Sequence, residues 1–398
     1  MDSIRVVSES TIEPKGYPGM WQFPKDPDKC CIYRVPERLR SVNAKAYTPQ
    51  LVIIGPLHHS LKSQALNSLG DITNTKRAIE EEEERIRESY SESTTWIESS
   101  EFVEMILLDS VFILEFFLRR VFGRRGMKTG DPLNDEPCLT ETINSDLMLL
   151  ENQLPYFILH NLFHPIFSRL VSNMTFRELI TASFGYRNKI GDDSNFSHFT
   201  DLARCVRIEK LQGPAQHEFK RLRHLFNAEK LYSGGVKLDV LQEELSLEVR
   251  FENGCLKMPR LLIEDNSEMK LRNIMALEQC HYPFTAHVSS YVLFLERLID
   301  TDKDVDLLVD KGIIQIWIGQ PSSVAEMVNK LGLGITDIGS YYSDIAVKVN
   351  AHYSNPLTKS QIYLENKWLG TAAIVATVLL LLTFIQTVAS LIQVVQNA

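Results

Sequence analysis

Residues 101–122, EFVEMILLDSVFILEFFLRRVF, form an almost uninterrupted apolar segment that constrains the fold more than any other part of the sequence. Apolar side chains occupy nearly every face of a helix built from this segment, so either protein or lipid must surround it. Glu104, Asp109 and Glu115 interrupt the segment. Burying three carboxylates in a bilayer would cost about 2.5 kcal/mol or more for each, so we expect the central helix of a protein core.

A second long apolar stretch ends the chain. No charged side chain lies between Trp368 and Ala398, and 15 of the 27 residues from 369 to 395 are Leu, Ile, Val or Phe. As a helix rising about 1.5 Å per residue, this stretch would reach roughly 40 Å, enough to cross a bilayer. It predicts a transmembrane helix over 368–395, with the lipid bilayer as a partner. The residues expected to anchor it in lipid are Leu369, Ile374, Leu380, Phe384, Val388 and Val395.

The remaining sequence indicates where such an anchor would be placed. The first 16 residues contain no apolar run long enough for a secretory signal, and Lys359 and Lys367 precede a tail that carries no positive charge. The positive-inside rule then predicts a single-pass anchor in the plasma membrane or an endomembrane, with the body in the cytosol. Six cysteines without CxxC spacing suit buried thiols in a reducing compartment. A net charge of −9 argues against nucleic acid as a partner.

Helical periodicity dominates the body, which we expect at 31–365, after a flexible arm at 1–30. A polar stretch at 185–198 marks a break between two lobes. The run from Leu51 to Ile54 is typical of a short buried strand.

A hairpin is the other strand signal. Leu245, Leu247, Val249 and Phe251 alternate with polar residues before an Asn253-Gly254 turn, and Pro259 should confine the second strand to an edge or a bulge. The predicted fold class is therefore mainly α with a small antiparallel β element (α+β), plus one C-terminal transmembrane helix.

Three polar residues stand in the apolar helical pattern at 146–163. Glu151, Asn152 and Gln153 come directly before Pro155, which frees backbone carbonyls because proline has no N–H. We interpret them as a helix kink stabilised by side-chain amides, and a ligand or partner site is the alternative. Asn273, Glu278 and Gln279 are interpreted in the same way, as polar links between packed helices.

Histidines are the other candidates for chemistry. His58 and His59 are adjacent, so their side chains point in different directions and do not readily share a metal. His160 and His164 have the i,i+4 spacing of two zinc ligands, but no glutamate lies between them as in HExxH. We expect no metal and no cofactor.

Catalytic signatures are absent: the sequence contains no GxSxG, no GxxxxGK[ST] and no GxGxxG. We therefore expect that the chain is not an enzyme. The alternative is a membrane-tethered enzyme, with a site assembled from scattered residues such as His58, His59, Glu151 and Asn152.

Several long motifs resemble one known family. They are YRVPERLRSVNAKAYTPQLVIIGPLHH (33–59), EFVEMILLDSVFILEFFL (101–118), DLMLLENQLPYFILHNLF (146–163), NAEKLYSGGVKLDV (227–240), LRNIMALEQCH (271–281) and SSYVLFLERLIDTDKDVDLLVDKGII (289–314). Together with the tail, they resemble the plant family called domain of unknown function 247, also known as UPF0481-type membrane proteins. Leu57 and Leu357 depart from its pattern, where tyrosine and tryptophan are usual.

The resemblance implies a plant membrane protein with one C-terminal span and no established enzymatic activity. Some members lie at grass self-incompatibility loci, where they resemble pollen-side determinants, and others are linked to stress or defence. We therefore expect a recognition or signalling protein that binds an unknown protein partner. Its specificity would lie in the loops at 123–140 and 185–198.

Overall fold

The computed structural model describes residues 17–21, 27–58, 73–122, 135–170, 174–187, 189–191, 193–211, 220–222, 224–356 and 375–389. The helices are α1 (Glu37–Arg40), α2 (Thr73–Glu88), α3 (Ser99–Phe122), α4 (Pro137–Asp146), α5 (Tyr156–Leu170), α6 (Phe176–Ser183), α7 (Phe199–Ile208), α8 (Ala228–Ser233), α9 (Ser267–Cys280), α10 (His287–Leu298), α11 (Asp302–Asp310), α12 (Pro321–Leu331) and α13 (Ser343–Ser354). The strands are β1 (Lys237–Glu244), β2 (Arg250–Glu252), β3 (Cys255–Ile263) and β4 (Ile314–Ile316).

The central apolar helix is present as predicted. In α3, Phe102, Ile106 and Phe117 are fully buried, and the helix packs against α2 and α6. Of the three carboxylates that interrupt the apolar segment, those of Glu104 and Glu115 are exposed. The third, Asp109, is buried and accepts a hydrogen bond from the backbone N–H of Gly55 at 2.8 Å. The protein therefore accommodates all three carboxylates, two of them at its surface and one through a hydrogen bond in its core.

The helix α9 organises the C-terminal part of the body. It packs against α7, α10 and α12, and also against a short 3₁₀ helix at Ala44–Tyr47. Its residues from Leu271 to Glu278 are all buried. A helix buried all round must satisfy its polar side chains inside the protein.

The sheet corrects the predicted antiparallel element. β3 is central: it pairs in parallel with β1 and with β4, and only β2 is antiparallel to it. Asn253 and Gly254 do join β2 to β3, with the positive φ values of 51° and 74° that a tight hairpin turn requires. Local alternation could not indicate these partners, because β1 precedes β2 in the chain and β4 follows three further helices. The described fold is mainly helical with a small, mostly parallel sheet.

Pro259 lies in this central strand, where a missing N–H would normally break the ladder. The register of β1 against β3 shifts at the pair Leu241–Pro259, which forms a bulge or irregularity. The residues that β3 pairs with β2 end at Lys257, and those it pairs with β4 begin at Leu261. Proline therefore lies where the pairing changes, and the strand tolerates it.

Two predicted elements are absent from the described backbone. Leu51 to Ile54 form no strand, and residues 147–155 are an irregular buried loop between α4 and α5 instead of part of one kinked helix. Pro155 immediately precedes the first residue of α5, where its missing N–H costs no helical hydrogen bond. Proline thus starts a helix here and does not kink one.

The predicted transmembrane helix is wrong. Within the described part of the chain, no helix combines the length and the apolar character that crossing a bilayer requires. The described part of the tail, residues 375–389, is helical. The single-pass anchor, the bilayer as partner and the membrane localisation derived from it are corrected accordingly. Leu380, Phe384 and Val388 lie in this tail helix, whereas Leu369, Ile374 and Val395 lie outside the described residues.

The domain boundaries remain predictions. Most of the arm at 1–30 and residues 123–134 of the first predicted loop lie outside the described residues. The second loop, at 185–198, contributes the buried side chains of Tyr186 and Phe196 to the main hydrophobic core.

Gly55 should be sensitive to substitution. Its φ is +72°, and a Cβ atom there would lie 2.5 Å from the backbone oxygen of Gln153. We expect Gly55→Ala to lower the free energy of unfolding by about 2–4 kcal/mol, since a left-handed backbone costs about 1–2 kcal/mol and overpacking about 1–3 kcal/mol. Urea denaturation measures the change. The matched control is Gly185→Ala, because Gly185 has a φ of +73° and nothing within 4 Å. Equal losses in the two variants would contradict the close approach.

Candidate functional site

The loop at 147–155 contains the polar residues that the sequence singled out, and all three are buried. Glu151, Asn152 and Gln153 have exposed fractions of 1%, 0% and 0%. Backbone groups in an irregular buried segment have no helix or strand partners, so side chains must supply their hydrogen bonds.

Asn152 bonds the loop to the extended segment that the sequence predicted as a strand. Its Oδ1 accepts from the N–H of Ile54 at 2.7 Å, and its Nδ2 donates to the carbonyls of Val52 and Asp146, each at 2.9 Å. The carboxylate of Asp146 accepts from three further backbone N–H groups, those of residues 50, 51 and 52, at 2.7–2.8 Å. Side chains thus take the place of a neighbouring strand.

Gln153 holds the loop on its other side. Its Nε2 donates to the carbonyls of Leu147 at 2.7 Å and Leu149 at 2.8 Å, while its Oε1 accepts from the N–H of Phe199, the first residue of α7, at 2.9 Å. The hydroxyl of Tyr90 donates to the backbone carbonyl of Gln153 at 3.0 Å. One amide therefore closes the loop and fixes it to a second helix.

Glu151 is the centre of a buried ion cluster. Its carboxylate accepts from the N–H of Val35 at 2.7 Å and from the guanidinium groups of Arg34, at 3.0 Å, and Arg40. The Nε2 atom of His58 lies 3.6 Å from the same carboxylate. Every described partner is a donor, which suits an ionised carboxylate.

Arg34 joins this cluster to a second carboxylate. Its guanidinium forms a bidentate pair with Glu92, with both distances at 2.7 Å, and donates to the carbonyl of Leu57 at 2.9 Å. Two arginines thereby balance two carboxylates. The described cavity next to the cluster has a volume of about 40 Å³, room for little more than a water molecule. This arrangement binds parts of the chain together.

The candidates on α9 have comparable roles. Asn273 accepts from the N–H of Leu150 at 2.9 Å and donates to the carbonyl of Ala46 at 2.7 Å, so it connects α9 to the loop. Gln279 exchanges hydrogen bonds with both backbone groups of Thr336.

Glu278 supplies the N-terminal cap of α10, because the N-cap residue Ala286 has no side-chain oxygen. Its carboxylate accepts from the N–H groups of Val288 at 3.0 Å and Ser289 at 2.7 Å. The guanidinium of Arg204 donates to it at 3.1 Å and stacks on the ring of Tyr282. Complete burial raises the pKa of Glu278, against the opposite effect of Arg204.

A cavity of about 600 Å³ opens in front of the loop, where α5 begins, and we name it the α5 cavity. The loop contributes only Pro155 to its lining. The other lining residues are Asp28, Lys29, Cys31, Arg85, Ser89, Tyr156, Phe157, His160, Asn161, Arg177, Asn195, Phe196 and Ser197. Glu151, Asn152 and Gln153 therefore are not part of its surface.

Cations and aromatic rings share this lining. The guanidinium of Arg85 stacks 3.9 Å from the centre of the Phe157 ring, and that of Arg177 lies 4.9 Å from the centre of the Phe196 ring. Arg177 also donates to the carbonyls of Gly191 and Ser194, at 3.0 and 2.5 Å. These contacts fix both guanidinium groups at the wall of the cavity.

The two histidines spaced i,i+4 lie together on α5. The rings of His160 and His164 stack with their centres 4.6 Å apart. Burial, and secondarily the neighbouring His164, lowers the pKa of His160. Within the described residues, no three His, Cys, Asp or Glu side chains are grouped to hold a metal ion. His59 lies outside the described residues.

Sequence reasoning missed the partners of its own candidates. Arg34 and Glu92 were not singled out, and neither were Asp146 and Arg204, although each is bonded to a predicted residue or segment. The separations along the chain reach 117 residues, and no local pattern signals such pairs.

His198 is a buried residue whose contacts define its protonation state. Its Nε2 lies 2.9 Å from the carbonyl oxygen of Cys31, which can only accept, and its Nδ1 accepts from the N–H of Asp201. The ring is therefore neutral, with its hydrogen on Nε2. Burial lowers its pKa to about 4, although Asp201 acts in the opposite direction.

This lowered pKa predicts a pH dependence of stability. Unfolded histidine titrates near 6.5, so between pH 6.5 and 4 the unfolded chain binds a proton that the folded chain does not, and stability falls as the pH falls. We expect His198 to remove about 2–3 kcal/mol of unfolding free energy between pH 7 and pH 4.5. Urea denaturation of the wild type and of His198→Asn at both pH values isolates this contribution. A difference between the two proteins that does not change with pH would contradict it.

Comparison with known proteins confirms the resemblance noted in the sequence. The family model described as a plant protein of unknown function, DUF247, matches residues 32–382. UPF0481 protein At3g47200 from Arabidopsis thaliana is 26% identical over 390 residues, which cover 86% of this chain and 78% of that protein. Putative UPF0481 protein At3g02645 from the same plant is 24% identical over 165 residues, 39% of this chain and 31% of that protein. No solved structure matches the chain. Because the family model covers most of its length, the chain belongs to the plant family called domain of unknown function 247.

Proposed function

We propose that this chain is a recognition protein that binds an acidic segment of another protein in the α5 cavity. The observation that carries the proposal is the convergence of cations from separate elements on one ligand-sized cavity. Lys29 precedes the body and pairs with Glu88, Arg85 lies on α2 and pairs with Glu82, and Arg177 lies on α6. Asp28 is the one carboxylate among the described lining residues.

Charge complementarity is the reason to expect an acidic segment. Arg85 and Arg177 bring guanidinium groups, which match carboxylates in geometry as well as in charge. Tyr156, Phe157 and Phe196 add aromatic surface beside them, with Tyr156 and Phe196 ring centres 4.3 Å apart. Arginine and aromatic residues are enriched where proteins recognise one another.

Fixed cations favour binding further, because little side-chain entropy remains to be lost. Arg85 and Arg177 are already stacked on Phe157 and Phe196. A segment that enters the cavity meets groups held in place, and such preorganisation increases affinity.

Binding is proposed in preference to catalysis. The enzyme alternative relied on His58, His59, Glu151 and Asn152. Two of these residues, Glu151 and Asn152, form hydrogen bonds with backbone groups and arginines of the chain itself. These contacts support a role in holding the loop.

The segment at 185–198 is proposed to determine specificity. Its residues Asn195, Phe196 and Ser197 line the α5 cavity, so changes in this segment would alter the binding surface directly. The roles that the family resemblance implies, in self-incompatibility, signalling, defence or stress, belong to the same proposal. Each requires a protein that distinguishes one partner from another.

Peptide binding tests the proposal. A fluorescein-labelled nonapeptide of glutamate and phenylalanine, and its counterpart with lysine in place of glutamate, would be titrated with the full chain and followed by fluorescence anisotropy. We expect only the acidic peptide to bind, and its affinity to fall as salt rises, because the contacts are electrostatic. Arg85→Glu should weaken it about tenfold or more.

The matched control is Arg77→Glu. Arg77 lies on the same helix, is exposed and pairs with Glu81, but it does not line the cavity. It changes the net charge as much as Arg85→Glu does and should alter affinity less than about twofold. Equal losses for the two variants, or equal binding of the acidic and basic peptides, would overturn the proposal.

A further inference from the structure

A second cavity, of about 430 Å³, lies between the sheet and the helices α9 and α10, and we name it the sheet cavity. Its apolar lining includes Leu245, Leu247, Leu262, Leu271, Val292 and Leu295. Its size falls within the range of about 300–1,000 Å³ that is typical of small-molecule sites. It shares no lining residue with the α5 cavity.

Tyr291 of α10 lines this cavity, and its hydroxyl group is the feature that most constrains the kind of ligand. The side chain is 2% exposed, and among the described residues its hydroxyl has no hydrogen-bond partner. Burial raises the pKa of Tyr291, so the hydroxyl stays protonated and is able to donate. A buried unpaired hydroxyl costs a protein free energy, and most buried polar atoms have a hydrogen-bond partner.

The neighbouring Tyr342 is also buried, but its hydroxyl has a hydrogen-bond partner. Its hydroxyl donates to the carbonyl oxygen of Leu247 at 2.7 Å, and its ring packs edge-on against that of Tyr291. The same part of the core thus contains one tyrosine with a partner and one without.

The backbone beside the cavity is strained. Leu245 has a φ of 59°, in the left-handed region that branched, bulky side chains avoid. Such strain clusters at ligand sites, where the surrounding structure maintains it. Here it accompanies the unpaired hydroxyl at the same cavity.

The charged residues of the lining are mostly cationic. Lys189, Arg207, Arg260 and Lys270 contribute four positive side chains, and the one carboxylate among the described lining residues is Glu264. Glu264 lies 3.6 Å from the Nζ of Lys270, so it offsets only part of this charge. An apolar cavity with cations at its edge complements a molecule that has an apolar body and an anionic head.

We infer that the sheet cavity binds a small amphipathic carboxylic acid that carries a second oxygen within its apolar body. The carboxylate is held by the cations, the body lies against the leucine side chains, and Tyr291 donates its hydroxyl hydrogen to the second oxygen. This inference goes beyond the proposed peptide recognition, because it concerns different residues and a different class of ligand.

Isothermal titration calorimetry of the full chain tests it with three probes: decanoate, 10-hydroxydecanoate and decanol. We expect decanoate to bind about tenfold or more tightly than decanol, because only decanoate offers a charge to the cations. Arg207→Gln combined with Lys270→Gln should reduce that preference several-fold, because it removes two of the four cations. The added hydroxyl of 10-hydroxydecanoate should strengthen binding several-fold over decanoate.

Tyr291→Phe provides the sharper test. It should remove the preference for 10-hydroxydecanoate while leaving the urea midpoint of the unliganded protein unchanged or higher, since it deletes an unsatisfied group. Tyr342→Phe is the control and should lower the urea midpoint, because it breaks the bond to Leu247. The inference is overturned if decanol binds as tightly as decanoate, if Tyr291→Phe keeps the preference, or if no probe binds below about 1 mM. None of these results depends on Arg85 or on peptide binding, so the two proposals fail separately.

Discussion

The fold depends on one constraint: buried backbone that belongs to no helix or strand must still form its hydrogen bonds. The loop at 147–155 passes through the interior between α4 and α5, and side chains supply those bonds. Asn152 and Gln153 bond it to the segment before Gly55 and to α7, Asn273 bonds it to α9, and Glu151 bonds it to the region around Arg34. An unsatisfied buried group costs about 1–3 kcal/mol, so these contacts together determine how the helices are arranged around the loop.

This arrangement separates the supporting residues from the binding surfaces. The polar residues of the loop face inward and hold Pro155 and the start of α5 in place, and the α5 cavity forms on the outer side. The sheet cavity arises independently, where α9 and α10 meet the strands around β3. The segment at 185–198 borders both: Asn195 and Phe196 line the first cavity, and Tyr186 and Lys189 line the second. Variation in this single segment could therefore alter both surfaces without disturbing the core contacts of Glu151.

Sequence reasoning succeeded where a pattern is local and failed where a partner is distant. The helix at 101–122 follows from its own long apolar run, and the Asn253-Gly254 turn follows from its own backbone preference. The parallel pairing of β3 with β1 and β4 joins strands that do not follow one another in the chain. The run from Leu51 to Ile54 has strand-like residues, yet its partners are the side chains of Asp146 and Asn152. Apolar composition alone also predicted a transmembrane helix in the tail, whereas the described residues contain no helix that is long and apolar enough to cross a bilayer. The candidate residues were recognisable as polar positions in apolar surroundings, but Arg34 and Arg85 became visible only when the fold brought them to their partners.

Amide hydrogen exchange at four positions tests the central claim most directly. The N–H groups of Val35, Ile54, Leu150 and Phe199 donate to the side chains of Glu151, Asn152, Asn273 and Gln153 respectively, and the first three lie outside helices and strands. If these side chains hold the interior together, all four amides should exchange as slowly as the core amides of α3 and α9, through global unfolding. Exchange at the rate of an ordinary surface loop would contradict the account.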